Sequence, residues 1–215
     1  MIISLKHMID TYSLNIKGVL HIGAHFGQEY DEYVNQGIKD MVFFEPIQLT
    51  YYTLFTNLQQ KFKGLNIMDQ ERVLTFNIAL GNENKEVEMF VESVNKGMSS
   101  SVLEPDLHLK QYPKIKFDKK ETVQMCRLDD IVIDRSKYNF INIDVQGYEL
   151  EVFKGAVKTL KTIDYIYTEV NFQHLYKDCC LVEELDAFLK KFGFLRILTD
   201  SSNRTWGDAL YKKYN

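Results

Sequence analysis

The sequence is short of cysteine, proline and unbroken apolar runs, and each shortage excludes something. Cysteine occurs three times, as Cys126 and the adjacent Cys179 and Cys180. An odd count with one neighbouring pair is not a disulfide framework, because adjacent cysteines bridge only with strain. No Cys-x-x-Cys pair offers a zinc or redox site. Such thiol usage fits a reducing compartment, and a cytoplasmic location is expected. With three prolines and 45% hydrophobic residues, disorder is not the main theme. No run reaches the ~18 apolar residues that a membrane span needs. The opening apolar run is broken by Lys6 and His7, too early for a signal sequence. Positive charge is also in short supply. Lysine and arginine number 26 against 30 acids, for a net charge of −4. A general nucleic-acid binder would need a basic face, so no nucleic-acid partner is expected.

What remains, 215 residues with ordinary apolar content, suits one domain with a small elaboration. Residues 1–215 are read as one unit, with an N-terminal helix in 1–16 and an insertion at 82–128. Leu5, Met8, Ile9 and Tyr12 recur at helical spacing. Short apolar strands are expected at 18–22, 41–44, 73–80, 139–145 and 164–170, with late strands at 194–198 and 209–211. Helices are expected at 28–36, 47–62, 150–160 and 182–192, with Gly37 as a C-terminal stop. Residues 85–92 alternate charged and apolar side chains, and 121–128 is the expected antiparallel partner. Residues 97–120 are the least regular part. Strands alternating with helices indicate an α/β fold with a mostly parallel sheet covered on both faces, closed by an antiparallel C-terminal edge hairpin.

Three motifs carry chemistry. The first, Ile22-Gly23-Ala24-His25-Phe26-Gly27, takes a strand through a glycine turn into a helix. Glycine permits close backbone approach, and a helix start offers N–H groups to an anion. Its Gly-x-x-x-Gly spacing lacks the pyrophosphate fingerprint and the phosphate-loop lysine. The second, Phe44-Glu45-Pro46, puts an acid at the end of the next strand, where nucleotide-binding sheets receive ribose hydroxyls. The two together favour a ribose-bearing ligand with a carboxylate, and S-adenosylmethionine fits. The third, Ile143-Asp144-Val145-Gln146-Gly147-Tyr148-Glu149-Leu150-Glu151-Val152-Phe153-Lys154-Gly155, puts Asp144 at the carboxyl end of the fourth main strand, where open α/β sheets bind ligands.

With these blocks, and with Asn77-Ile78-Ala79-Leu80-Gly81, Ser99-Ser100-Ser101, Leu128-Asp129-Asp130 and Thr168-Glu169-Val170-Asn171 in order, the chain resembles the FkbM family of S-adenosylmethionine-dependent methyltransferases. The resemblance implies a class I methyltransferase (Rossmann-like) seven-stranded sheet in the order 3-2-1-4-5-7-6. It implies that Gly23, Ala24 and Gly27 border the methionine moiety, with His25 in the same turn, and that Glu45, followed by Pro46, holds the ribose. Asn77, Ile78 and Ala79 would approach the adenine, and Ser99 or Ser100 the cofactor rim, and Asp144 is also expected among the cofactor-binding residues. Two positions depart from the family pattern. His21 stands where an acid is usual, and Gln146 where glutamate is usual.

An alcohol attacking a methyl group must shed its proton. Asp144 is the first candidate base, His174 the second and Glu169 the third. Two carboxylates and a histidine could also hold Mg²⁺, although no required metal is expected. Lys110, Lys114, Lys116, Lys119 and Lys120 form a basic run, read as a solvated face or as a lid over a phosphate or glycan. Tyr112, Tyr176 and Trp206 are candidates for stacking on sugar rings. The expected function is O-methyl transfer to a hydroxyl of a sugar or glycan, with the acceptor site built from the N-terminal helix, residues 97–120 and the 171–180 loop. The chain could be a module of, or partner to, glycan-building enzymes. The rivals are an O-methyltransferase of another small natural product, a nicotinamide-dependent oxidoreductase, and a non-catalytic interaction module.

Overall fold

The computed structural model describes residues 2–64 and 72–214. Three apolar runs, β1 (Gly18–Ile22), β2 (Asp40–Phe44) and β7 (Phe140–Ile143), form the centre of a sheet and are buried at every position. Continuous burial requires cover on both faces, and alternate residues supply two separate cores. Leu20, Ile22, Val42 and Phe44 pack with Val152 and Phe153 of α5 (Glu149–Lys154) and Leu185 and Leu189 of α6 (Val182–Lys190). Val19, Met41 and Phe43 pack on the other side with α1 (Leu5–Tyr12), α2 (Tyr30–Asn35) and α3 (Gln48–Lys61). Fully burying one such Leu or Phe side chain is worth about 1.5–3 kcal/mol.

The sheet continues through β3 (Val73–Phe76), β8 (Tyr165–Asn171), β9 (Phe194–Asp200) and β10 (Trp206–Lys213) in the order β3-β2-β1-β7-β8-β10-β9. Counted along the chain, that is 3-2-1-4-5-7-6. β10 is antiparallel to both its neighbours, so the late strands form the expected edge hairpin. Register decides which residues meet at the carboxyl ends. Ile22 pairs with Phe44 and with Ile143, Phe44 with Phe76, and Ile143 with Thr168. The next residues, Asn77, Glu45, Gly23, Asp144 and Glu169, therefore form one row along that edge, and Asp208 pairs with Glu169 beside it.

Two expected elements break. The strand read as 73–80 splits, because Asn77 leaves the ladder and its Nδ2 donates to the carbonyls of Glu45 and Pro46, each at 2.9 Å. Residues past it form β4 (Ala79–Leu80), which joins β5 (Lys85–Val91) and β6 (Lys119–Cys126) in a separate sheet of order β4-β6-β5. The helix read as 150–160 ends at Lys154. A Cβ at Gly155 would stand 1.9 Å from the Gly81 carbonyl oxygen. Asp129 then takes the backbone N–H groups of Lys158 and Thr159 at 2.7 and 2.8 Å, and the chain continues as a single 3₁₀ turn at Thr159–Lys161. The irregular stretch contains a short helix, α4 (Leu107–Gln111). The three cysteines carry free thiols. Among the described residues no helix is long and apolar enough to cross a membrane.

Candidate active site

The row of strand ends forms the floor of a cavity of about 470 Å³. It lies at the carboxyl ends of parallel strands, where the chain switches direction between β1 and β7, the usual ligand crevice of an open α/β sheet. Gly23, Ala24, His25, Glu45, Pro46, Ile78, Ala79, Ser100, Asp144 and Glu169 all line it. Gly27, Asn77 and His174 do not. Gly27 packs against α3, where a Cβ would come 2.6 Å from Leu54 Cδ1. Asn77 braces the Glu45–Pro46 corner through its two carbonyl bonds. His174 lies on an exposed loop, with Nδ1 3.0 Å from the Cys179 carbonyl.

The glycine turn is built for close approach. Gly23 has φ +77°, and a Cβ there would meet the Asp144 carbonyl oxygen at 1.9 Å. Its N–H groups, however, are not offered to an anion. Those of Gly23 and Ala24 donate to the Phe44 carbonyl at 3.0 and 2.9 Å, that of His25 to Glu45 at 2.9 Å, that of Phe26 to Gln28 at 3.1 Å, and that of Gly27 to the Ala24 carbonyl at 2.9 Å. The anion-binding turn expected from the sequence is thus closed on itself. A helix that starts only at Tyr30, with no side-chain cap, leaves this segment as a self-bonded loop.

Glu45 is 5% exposed. One oxygen accepts the Ile47 N–H and the other the His25 N–H, each at 2.9 Å. Burial pushes its carboxyl up to about 7 against the pull of those two bonds. Each oxygen retains a lone pair for a further donor. His21, at the position expected to hold an acid, is buried between Tyr33 and Asn142. Its Nδ1 is 3.2 Å from the Tyr33 hydroxyl and its Nε2 3.3 Å from Asn142 Nδ2. Burial lowers it to about 4, so the ring is neutral at pH 7. The carboxylate on this wall is that of Glu29, 4.0 Å from His21 Nε2.

At the β7 end, Gln146 is held in a left-handed conformation, φ +55°. Its Nε2 donates to Asp144 Oδ1 at 2.7 Å and to Glu169 Oε2 at 2.8 Å. Its Oε1 lies 2.8 Å from the Tyr176 hydroxyl. Glu149 accepts the N–H groups of Val145 and Gly147 at 3.0 and 3.2 Å, tightening the turn that carries Gln146. The acids repel one another's ionisation. Glu169 is driven well above the ordinary carboxyl value, by burial first and then by Asp144 and Glu149. Glu149 rises to about 7, mainly by burial. Asp144, walled by protein but open to the cavity, rises to about 6 by desolvation, with the Gln146 bond opposing. It is the acid of this group that ionises first.

Ligand oxygens of Asp144, Glu149 and Glu169 lie within 4.8 Å of one another, a set different from the Asp144, Glu169 and His174 considered from sequence. The set does not fit a metal well. The Gln146 amide nitrogen already stands between two of the carboxylates and points its hydrogens at both, where a cation would have to sit.

Beyond Asp144 the cavity becomes aromatic. Tyr112 and Trp206 line it, as does His108, which the sequence reading passed over. Tyr176 supports this wall from behind. Parts of the 97–120 segment and Leu175 of the 171–180 loop line the cavity; of the N-terminal segment it is Ile2, ahead of α1, that does so. The lysines of the basic run are exposed, and Lys120 pairs with Glu88 at 2.5 Å. Glu29 and Glu149 were also missed as site residues. Glu149 had a signal, five residues past Asp144 in the third motif, and Glu29 had one, two residues past Gly27.

Sheet order, antiparallel edge hairpin and a strand-end crevice together define a class I methyltransferase-like fold. The family model described as the methyltransferase FkbM domain matches residues 21–196, and the chain belongs to that family. It is 32% identical over 120 residues to the 2-O-methyltransferase NoeI of Sinorhizobium fredii (strain NBRC 101917 / NGR234), a match covering 52% of this chain and 49% of the relative. The chain thus spans about half the length of that curated relative. Among solved structures it is similar to methyltransferase FkbM from Methylobacillus flagellatus KT, with TM-score 0.65 and 16% identity over 94% of this chain and 45% of that one. It is also similar to magnesium protoporphyrin IX methyltransferase from Synechocystis PCC 6803 with bound SAM, with TM-score 0.53 and 9% identity over 97% and 76% of the two chains. At these identities the likeness is one of fold.

Proposed function

We propose that this protein is an S-adenosylmethionine-dependent O-methyltransferase acting on a hydroxyl of a sugar or glycan. The observation that carries the reading is a single cavity with two chemically different ends, joined at Asp144. One end has the close-approach glycine, the buried Glu45 acceptor and the apolar residues Ile78 and Ala79. These fit a ribose and a flat base. The other end has aromatic rings with polar edges. The 2-O-methyltransferase among its relatives supports a hydroxyl as the acceptor.

When bound, S-adenosylmethionine supplies an electrophilic methyl group. The chain's own residues align the acceptor, exclude water and take up one proton. Asp144 is the group for the proton, since it faces the cavity and is ionised above about pH 6. Glu169, raised well above the ordinary carboxyl value by burial and by Asp144, accepts from Gln146 and serves to hold it. His174 lies outside the cavity and is no longer a candidate base. Gln146 holds Asp144 in one orientation by donating one N–H to it and the other to Glu169.

The test is an acceptor screen with labelled cofactor over deoxysugars, glycans and nucleotide sugars, with and without EDTA. Label is expected in a sugar hydroxyl in both arms. Label only on non-sugar acceptors, or activity lost with EDTA and restored by Mg²⁺, contradicts the corresponding part of the reading.

A further inference from the structure

His108 is 4% exposed and lines the cavity, yet its Nδ1 has no hydrogen-bond partner. Its surroundings are rings. Tyr112 is 4.9 Å away between centroids, and Phe117 and Tyr176 are each 5.4 Å away. Burial in this nest lowers its pKa, so at neutral pH the imidazole is uncharged, with one donor and one acceptor nitrogen. A buried polar atom left unmatched is costly, and native structures seldom keep one without a reason.

The neighbouring hydroxyl has a matching surplus. Tyr112 follows α4, four residues after His108. Its oxygen receives Trp206 Nε1 at 2.8 Å, Asn203 Nδ2 at 2.9 Å and Gln111 Nε2 at 3.1 Å. Gln111 and Asn203 are oriented by Thr205, whose hydroxyl is 2.8 Å from Gln111 Oε1 and 3.1 Å from Asn203 Oδ1. A phenol oxygen has two lone pairs, which Trp206 and Asn203 fill, while Gln111 Nε2 also reaches Asn203 Oδ1 at 3.2 Å, and the phenol's own proton is left over. His108, with one donor and one acceptor nitrogen, and Tyr112, with its hydroxyl proton, line the same cavity as Trp206, whose indole N–H edge holds the Tyr112 oxygen.

We propose that His108 and Tyr112 are specificity-determining residues that recognise adjacent hydroxyls of a pyranose ring stacked on Trp206, remote from the hydroxyl that faces Asp144. A sugar ring has an apolar C–H face for the indole and a rim of groups that both donate and accept, which is the set the wall lacks. A flat aromatic acceptor would cover the indole and leave the imidazole unmatched. The inference rests on reading the opposite end of the cavity as the methyl-donor site, and its test is chosen to separate the two.

Trp206 is the single tryptophan of the chain, so its emission reports on this wall alone. The experiment titrates methyl glycosides of hexoses and 6-deoxyhexoses against the protein, with and without S-adenosylhomocysteine. S-adenosylhomocysteine binding itself is measured separately by calorimetry. At least one glycoside should change Trp206 emission saturably. His108→Phe should weaken that binding about tenfold, the cost of one lost hydrogen bond. His108→Gln, which keeps a donor and an acceptor, should restore most of it, and both variants should bind S-adenosylhomocysteine as the parent does. The inference is overturned if no glycoside alters the emission, or if His108→Phe binds the glycoside as the parent does. Glycoside binding without S-adenosylhomocysteine binding leaves the sugar subsite standing and removes the methyl-transfer reading. The reverse pattern removes the subsite alone.

Discussion

Glu45→Gln offers the sharpest physical test of the donor end. The Glu45 carboxyl stands at about 7 in the folded protein against an ordinary 4.5. Between those values the folded chain keeps a proton that the unfolded chain has released. Stability from this group is therefore highest at or below pH 4.5 and falls as pH rises toward 7. At about 1.4 kcal/mol per pH unit the whole loss is about 3 kcal/mol. Glutamine does not titrate, so the variant escapes the loss. It also turns an NH₂ group toward the N–H of either His25 or Ile47, which costs about 1–3 kcal/mol at every pH. Urea unfolding of both proteins from about pH 4.5 to about pH 8 reads the two effects apart. The constant offset comes from the lost bond. The difference, variant minus parent, should climb by about 3 kcal/mol across the range, because the other buried acids are common to both and cancel. Parallel profiles would refute the buried, proton-holding Glu45. The same titration links to binding: ribose hydroxyls donate to the ionised form, so S-adenosylhomocysteine should bind more tightly as pH rises through 7, and in Glu45→Gln that dependence should vanish.

Asp144→Asn keeps the shape of the side chain and removes the base. Turnover should drop by about 10²–10⁴-fold while S-adenosylhomocysteine affinity, measured by calorimetry, changes little; full activity would dismiss the assignment. In the parent, the rate should fall as pH drops through about 6, since the protonated Asp144 carboxyl cannot accept, and a pH–rate profile flat to pH 5 contradicts it. Gln146→Glu replaces the shared donor with a further carboxylate between Asp144 and Glu169. It should lower the melting temperature at pH 8 and, in part, recover with added Mg²⁺ in a thermal shift assay. The parent should show no such response.

The sheet was legible because its strands are apolar on both faces and cannot be mistaken for exposed hairpins. Once the strands are found, parallel register places Gly23, Glu45 and Asp144 side by side, each one residue beyond its strand. Their shared location in the cavity therefore follows from local sequence. What failed was whatever depended on side chains capturing backbone groups at a distance. Asn77 turns the third strand out of the sheet by bonding the Glu45 and Pro46 carbonyls, and Asp129 holds the turn after Gly155 through Lys158 and Thr159. Neither contact has a periodic signature. The glycine turn was read as an anion nest because its composition suits one, but Glu45, Phe44, Ala24 and Gln28 use up its N–H groups. His108 was invisible for the opposite reason. It lies in an irregular stretch, and Tyr176 and Trp206, which complete its ring nest and its cavity wall, come from segments far along the chain.

The central claim is that the cavity beside Gly23 takes an amino-acid-tailed adenosine. Calorimetric titration of S-adenosylhomocysteine into the protein and into Gly23→Ala tests it most directly. A methyl group at Gly23 would collide with the Asp144 carbonyl oxygen in a φ +77° turn. The parent should bind saturably, one to one, and the variant not at all. No heat from the parent at millimolar ligand, or equal binding by both, contradicts it.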